Sequence, residues 1–343
     1  MPNDYLNILE EGRNKEFNFY PFDSFSDITL SGSGGFGNVY KAKYTAADML
    51  VALKSYEKSY ENSDLKEIVN ELRIQKNVDI HQNIIRFLGV TKQEGDKYLL
   101  VLQWADGGTL RSYLEKNFLD MNWNKKLQFA TQIVSAVNYL HSLDIIHRDI
   151  HPKNILIHQE NIKLADFGLS RRITVNSRCN FGALRYIDPQ VFMRSNQNYE
   201  LSKKSDVYSV GMIMWEISSG KIPFCSIDDL DVQREICFNS IREKIVEGTP
   251  IIYLNIYQEC WENDPDIRPT MDQVYDSLKK INLNSPVFQI ASSSNISLPS
   301  TTLISNTNST DIELCISGFL TNIVHQNNDS SIRYDDDDYK YEF

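Results

Sequence analysis

Three polar side chains stand at a spacing that could move a phosphoryl group. In Ile146-His147-Arg148-Asp149-Ile150-His151-Pro152-Lys153-Asn154, an aspartate is followed five residues later by an asparagine. Twelve residues after that asparagine comes Asp166-Phe167-Gly168. Transfer from a magnesium nucleotide needs one group to orient the attacking hydroxyl and hard oxygen ligands to hold the metal. Asp149 suits the first task, and Asn154 with Asp166 the second. Upstream lies Gly32-Ser33-Gly34-Gly35-Phe36-Gly37-Asn38-Val39, whose glycines would let backbone N–H groups close over phosphates. Lys54 ends the apolar run Met49-Leu50-Val51-Ala52-Leu53. A lysine buried beside phosphates needs a carboxylate to keep it charged and aimed, and Glu71 sits on the apolar face of the next helical pattern.

The elements that must position these groups can be read from periodicity. Val39-Tyr40-Lys41-Ala42-Lys43-Tyr44 alternates as a strand, so the glycines join two strands rather than a strand and a helix. This excludes the turn of a dinucleotide fold. Residues 64–77 carry Leu65, Ile68, Val69, Leu72 and Ile74 at helical spacing. Strands follow at 86–90 and 97–103, the second continuously apolar and therefore interior. After the linker Trp104-Ala105-Asp106-Gly107-Gly108-Thr109, helices are expected at 110–116, 125–140, 204–218, 231–243, 252–262 and 270–280, with short strands at 155–157 and 163–164. Strands first and helices afterwards indicate an α+β fold of two segregated lobes.

Composition narrows the class. The 343 residues carry a net charge of −11, which speaks against a nucleic-acid binder. Five scattered cysteines without CxxC pairing argue against a zinc site or disulfide framework and fit a reducing, cytoplasmic setting. No apolar run is long enough to cross a bilayer, so no membrane insertion is expected, and no leader peptide is readable. Residues 281–343 hold eight acids and two bases, a net of −6, among many Ser, Asn and Thr. The expected organisation is a polar leader at 1–21, a folded domain at 22–283 and a disordered acidic tail at 284–343.

Together these residues resemble the eukaryotic protein kinase family, over about residues 25–283, and most closely its tyrosine-kinase-like group. The resemblance implies a bilobal fold. Its N-lobe (about 22–103) would have a small antiparallel β-sheet and helix C; its C-lobe (about 106–283) would be mainly helical. It implies Gly32, Ser33, Gly34, Gly35, Phe36 and Gly37 as a lid over the phosphates of ATP. Lys54, paired with Glu71, would hold the α- and β-phosphates. Val39, Ala52 and Leu156 would sandwich the adenine, the backbone of Gln103 and Ala105 would bond its edge, and Leu102 would close the rear of the pocket. Asp149 would orient the acceptor hydroxyl, Asn154 and Asp166 would hold Mg²⁺, and His147 would be structural. Arg148 would pair with an activation-segment phosphate at Thr174 or Ser177 added by an upstream kinase. Asp206 would anchor the catalytic loop, and Trp261 and Arg268-Pro269 match late signatures of the family. The implied partners are ATP and a protein substrate.

The chain departs from the family pattern at several positions. Asp188-Pro189-Gln190 replaces Ala-Pro-Glu, so the glutamate that would pair with Arg268 becomes an amide; Gln190→Glu is expected to add stability through that contact. Gln75 stands where an apolar residue packs against Phe167, which predicts a helix biased outward. His151 replaces the lysine of Ser/Thr kinases, and Ala183 their threonine, leaving the acceptor type open, with Ser/Thr favoured. The competing reading is a pseudokinase scaffold on the same fold. Lys54, Glu71, Asp149, Asn154, Asp166 and Gly168 are all present, which favours an enzyme.

Overall fold

The computed structural model describes residues 17–34, 37–55, 62–94, 97–168, 170–172, 181–193, 200–283 and 290–291. Gly35, Phe36, Thr174 and Ser177 lie outside the described residues, as do the leader up to residue 16 and nearly all of the expected tail. Two compact units are present. One comprises the chain up to Leu110 with Lys153–Arg171; the other comprises Arg111–Pro152 and the described residues from Arg172 onward.

The first unit is built on a six-stranded sheet. Its strands are β1 (Phe19–Tyr20), β2 (Phe25–Gly34), β3 (Gly37–Tyr44), β4 (Met49–Ser55), β5 (Phe87–Gln93) and β6 (Lys97–Gln103), in spatial order β1-β5-β6-β4-β3-β2. Pairings are antiparallel except that β1 runs parallel to β5, with Phe19 opposite Val90. The sheet is therefore mixed rather than purely antiparallel. The cause is Phe17, which buries beside Val69, Leu72, Phe87 and Val90 and carries the next residues along the edge of β5. Helix α1 (Asn62–Val78) contributes Val69 and Leu72 to that cluster. A second cluster of Phe25, Ala42, Val51, Leu53, Leu99 and Val101 gathers side chains from β2, β3, β4 and β6. Tyr98–Val101 is buried throughout, as its unbroken apolar pattern requires.

Strands β7 (Ile155–His158) and β8 (Asn161–Leu164) form an antiparallel hairpin in the same unit. Ile85 N–H donates to Leu164 O at 2.9 Å, and Gly107 N–H to Ile157 O at 2.9 Å. A Cβ at Gly107 would fall 2.8 Å from Ile157 Cγ2, so only glycine permits this approach. Gln75 in α1 is buried, and its Nε2 donates to Ile85 O at 2.9 Å. This corrects the expectation of an outward bias: the amide ties α1 to the strand approach instead of repelling an apolar neighbour.

The second unit is helical: α2 (Leu110–Asn117), α3 (Trp123–Ser142), α4 (Gln190–Met193), α5 (Lys203–Ser219), α6 (Asp229–Asn239), α7 (Ile251–Cys260) and α8 (Met271–Lys279). Asn122 caps α3 by accepting Lys125 N–H, and the face from Phe129 to Leu140 is buried. Capping boxes start α5 (Ser202 with Ser205) and α8 (Thr270 with Gln273). Helix α5 is buried from Ser205 to Ser218, the mark of a central helix. Helix α6 stops at Asn239, earlier than expected, because Ser240 turns to a left-handed φ of 48°. Residues 290–291 return to pair with 248–250, Ala291 N–H donating to Thr249 O at 2.8 Å. No helix among the described residues is long and apolar enough to cross a membrane.

The pairing of Arg268 differs from the expected one. Its guanidinium grips Asp188 in bidentate fashion, Nη1 to Oδ2 at 2.8 Å and Nη2 to Oδ1 at 2.9 Å, with both side chains fully enclosed. Gln190 Nε2 donates instead to Asn263 O at 2.9 Å. The acid has moved two residues back within the motif, so the fork-to-carboxylate bond survives without a glutamate. A glutamate at 190 would set a carboxylate against a carbonyl oxygen. Gln190→Glu is therefore expected to lower stability by about 1–3 kcal/mol; a raised melting midpoint would reinstate the Gln190–Arg268 contact. Gln75→Leu should likewise cost about 1–3 kcal/mol in urea unfolding by stranding Ile85 O. A stabilised Gln75→Leu protein would revive the outward bias.

Candidate active site

The residues expected to hold the nucleotide come together within the first unit. Lys54 stands near the end of β4, opposite Val39 on β3, and Ala52 stands opposite Leu102 on β6. Lys54 Nζ donates to Asp166 Oδ1 at 2.7 Å, both side chains being largely buried. The same oxygen accepts Gly168 N–H at 3.2 Å. A Cβ on Gly168 would come within 3.6 and 3.7 Å of the two carboxylate oxygens of Glu71. One lysine and two carboxylates thus converge on a turn that glycine leaves open. Asp166 itself holds a left-handed φ of 64°, unusual for a non-glycine and sustained here by the bonds to Lys54 and Gly168.

Asn154 lies beside this group, its carbonyl accepting Ala165 N–H at 2.9 Å. Asn154 and Asp166 offer hard oxygen donors of the kind Mg²⁺ prefers. Among the described residues, no set of three or more His, Cys, Asp or Glu could hold a metal on its own. Two protein ligands with phosphate oxygens completing the shell match how magnesium binds at nucleotide sites, so the residues present fit the ion. Gln103 N–H is committed to Arg86 O at 2.9 Å. Ala105 is buried with Ile85 and Ala165, and Leu156 packs on that cluster. At the tip of the β2–β3 hairpin, Gly32 pairs with Val39 and Gly34 with Gly37, and Ser33 Oγ donates to Asn38 Oδ1 at 2.7 Å. Ser170, in the stretch after Gly168, is buried.

The residues expected on the hydroxyl side belong to the second unit. Buried Asp206, from α5, accepts His147 N–H on Oδ2 and Arg148 N–H on Oδ1, each at 2.9 Å, and lies 2.8 Å from His141 Nε2. These bonds hold Arg148 at a left-handed φ of 72°. His147 is fully buried, and its Nδ1 accepts Asp149 N–H at 3.4 Å, in keeping with a structural role. Asp149 is buried as well, with His151 Nε2 at 3.5 Å from its Oδ2.

Sequence reasoning missed Asp188 as the partner of Arg268; an acid two residues from an expected one was the available signal. It also missed a buried set of Arg111, Tyr186 and Glu216. Arg111 Nη1 lies 2.5 Å from Glu216 Oε1, Arg111 Nη2 donates to Tyr186 Oη at 2.6 Å, and Tyr186 Oη donates to Glu216 Oε2 at 2.6 Å. Burial pushes the Glu216 carboxyl up to about 7, with Arg111 opposing that rise. An acid inside the otherwise apolar run of α5 was the signal.

Comparison with known proteins gives the geometry its context. Residues 28–278 match the protein tyrosine and serine/threonine kinase family. A probable serine/threonine-protein kinase of Dictyostelium discoideum is 28% identical, covering 75% of this chain and 28% of its own. An Arabidopsis thaliana protein, the leaf rust 10 disease-resistance locus receptor-like protein kinase-like 1.1, is 31% identical over 76% of this chain and 44% of its own. A dual specificity protein kinase of Dictyostelium discoideum is 31% identical over 73% of this chain and 11% of its own. This chain thus spans less than half the length of each of these relatives. With residues 28–278 matched and the Lys54–Asp166 pair in place, the chain belongs to the protein tyrosine and serine/threonine kinase family.

Proposed function

We propose that this protein kinase transfers the γ-phosphoryl group of ATP to protein hydroxyls, serine and threonine in preference to tyrosine. The observation that carries the reading is the cluster of Lys54, Glu71, Asp166 and Gly168, with Lys54 Nζ 2.7 Å from Asp166 Oδ1. A buried lysine bonded to an aspartate held in a left-handed conformation, with the Glu71 carboxylate close to the same turn, suits the phosphates of a nucleotide better than a surface that only binds partners.

The roles follow from the donors available. Lys54 bears the positive charge for the α- and β-phosphates, and Glu71 keeps it charged and aimed. Asn154 and Asp166 would hold Mg²⁺, whose charge offsets that of the phosphates. Asp149 accepts or orients the proton of the acceptor hydroxyl, in a loop whose backbone is fixed by Asp206. Gly32, Ser33, Gly34 and Gly37, with Gly35 and Phe36 between them, cover the phosphates. Val39, Ala52 and Leu156 flank the adenine, Leu102 backs it, and the Gln103 carbonyl and Ala105 N–H meet its edge. Arg148 receives a phosphate at Thr174 or Ser177, supplied by an upstream kinase. The preference for serine and threonine draws on the relatives, among them a probable serine/threonine-protein kinase and a dual specificity kinase.

The test is incorporation of radiolabelled phosphate by the purified chain with ATP and Mg²⁺, followed by phosphoamino-acid analysis. Wild type should label serine and threonine, while Asp166→Asn and Lys54→Met should lose activity by about 100-fold or more. Equal labelling by wild type and Asp166→Asn would remove the enzyme reading in favour of a scaffold. Phosphotyrosine as the main product would overturn the acceptor preference alone.

A further inference from the structure

Residues 17–20 lie ahead of residue 28, where the match to the kinase family begins, and supply no group to the candidate site. Phe17 is nevertheless buried, in a cluster with Val69 and Leu72 of α1, Phe87 and Val90 of β5, and Tyr98 and Leu100 of β6. Its ring meets Phe87 edge-on with centroids 5.9 Å apart, and Lys76 Nζ stands over it at 5.6 Å. Val69, Leu72 and Lys76 recur at helical spacing, so one stripe of α1 faces this cluster and its Phe17 ring. The backbone then follows the ring onto the sheet. Val90 N–H donates to Asn18 O at 2.9 Å, and Asn18 Nδ2 donates to Leu88 O at 3.0 Å. A Cβ at Gly89 would collide with Asn18 O and fall 2.8 Å from Tyr20 Cε2, so the approach needs glycine there. Strand β1 has only β5 beside it, spans two residues and leaves Phe19 exposed. The segment is closely fitted but held by few bonds.

A different stripe of α1 carries Glu71 and Gln75. The carboxylate oxygens of Glu71 come within 3.6 and 3.7 Å of a Cβ built on Gly168, and Gln75 Nε2 is bonded to Ile85 O. We propose that residues 17–20 are an intramolecular strap on α1. With the Phe17 ring seated, the helix holds Glu71 at the Gly168 turn; with the ring withdrawn, the helix shifts and phosphoryl transfer falls. The effect on transfer rests on the kinase reading, whereas the effect on α1 rests on the packing alone. Withdrawing the ring leaves a void beside Val69 and Leu72, which a helix fills by moving. The Gln75–Ile85 bond fixes one point of α1, about which the rest can tilt. A segment that fits one placement of a helix better than another shifts the population by that difference in affinity. A two-residue edge strand and one ring belong to the low end of local stability, so the strap opens without unfolding the sheet behind it. Its fixed end is the turn Phe22–Ser24, where Ser24 N–H donates to Pro21 O and Thr45 N–H to Ser24 O, each at 3.0 Å.

Hydrogen exchange on the full chain tests the strap, using Phe17→Ala and, where that protein does not fold, Phe17→Leu. Amides of α1 should exchange about tenfold faster in Phe17→Ala and less so in Phe17→Leu, while those of α3 in the second unit keep the wild-type rate. Phe19→Ala, which alters the exposed ring of the same strand, should change neither helix. Single-turnover transfer from ATP should fall about tenfold in Phe17→Ala and stay at the wild-type rate in Phe19→Ala. Unchanged α1 exchange in the Phe17 variants would overturn the proposal, as would exchange raised equally in α1, β4 and β6, which would make the ring a general prop of the sheet. Faster α1 exchange with undiminished transfer would overturn it too, by cutting the link to the site. If wild type itself transfers no phosphate, the kinase reading falls, and α1 exchange still decides whether the strap holds the helix.

Discussion

The carboxylate of Asp206 is the contact on which the loop His147–Asp149 depends for its conformation. A loop that must hold an aspartate at a fixed angle has few internal hydrogen bonds of its own, so its backbone needs an outside acceptor. Asp206 provides two oxygens from the first turn of a capped helix that is buried from Ser205 to Ser218, and they take the amides of His147 and Arg148. Without them Arg148 would relax from its left-handed conformation and Asp149 would lose its heading. His141 on α3 touches the same carboxylate, so two helices share one anchor with the loop.

Among the described residues of the second unit, buried charges recur with partners. Arg268 is among the largest fully enclosed side chains, yet it finds both oxygens of Asp188 and the carbonyls of Lys204 and Glu262. Asp188 in turn accepts Ser205 Oγ from the first turn of α5. Removing one member of such a pair costs about 3–5 kcal/mol because the survivor is left uncompensated. Glu216 with Arg111 follows the same logic with a difference. Burial there exceeds what one guanidinium offsets, and it raises the Glu216 carboxyl to about 7.

The α+β class, the Gly-rich hairpin, β3 to β6 and most helices were legible because their signals are local: alternation, 3.6-residue periodicity, caps and glycines. Lys54, Glu71 and Asp166 were legible one by one from their motifs, but the Lys54–Asp166 bond, across 112 residues, was not. What stayed hidden depended on geometry between distant segments. The edge strand β1 has no pattern of its own and exists because Phe17 finds the core of the sheet. Asp188 could be matched to Arg268 only once the turn before α4 showed that it, and not Gln190, faces the guanidinium. Gln75 looked like a polar intruder because spacing cannot reveal an acceptor ten residues away on a different element.

That acceptor gives the first unit an internal linkage. Gln75 on α1 bonds Ile85 O; Ile85 N–H bonds Leu164 O; Leu164 N–H returns to Asn83 O; and Asn83 Nδ2 reaches Ile162 O. Two residues beyond Leu164 stands Asp166, with Ala165 between them tied to Asn154. Glu71 and Gln75 lie one turn apart on α1, so the helix that brings a carboxylate near Gly168 is bonded to Ile85, whose N–H in turn bonds Leu164 at the end of β8. An apolar residue at 75 could pack against a neighbour but could not report the helix's position through a directional bond. In this chain, the placement of α1 and of the segment leading to Asp166 rests on one continuous set of hydrogen bonds, so a shift of α1 must either break Gln75–Ile85 or drag β8 with it.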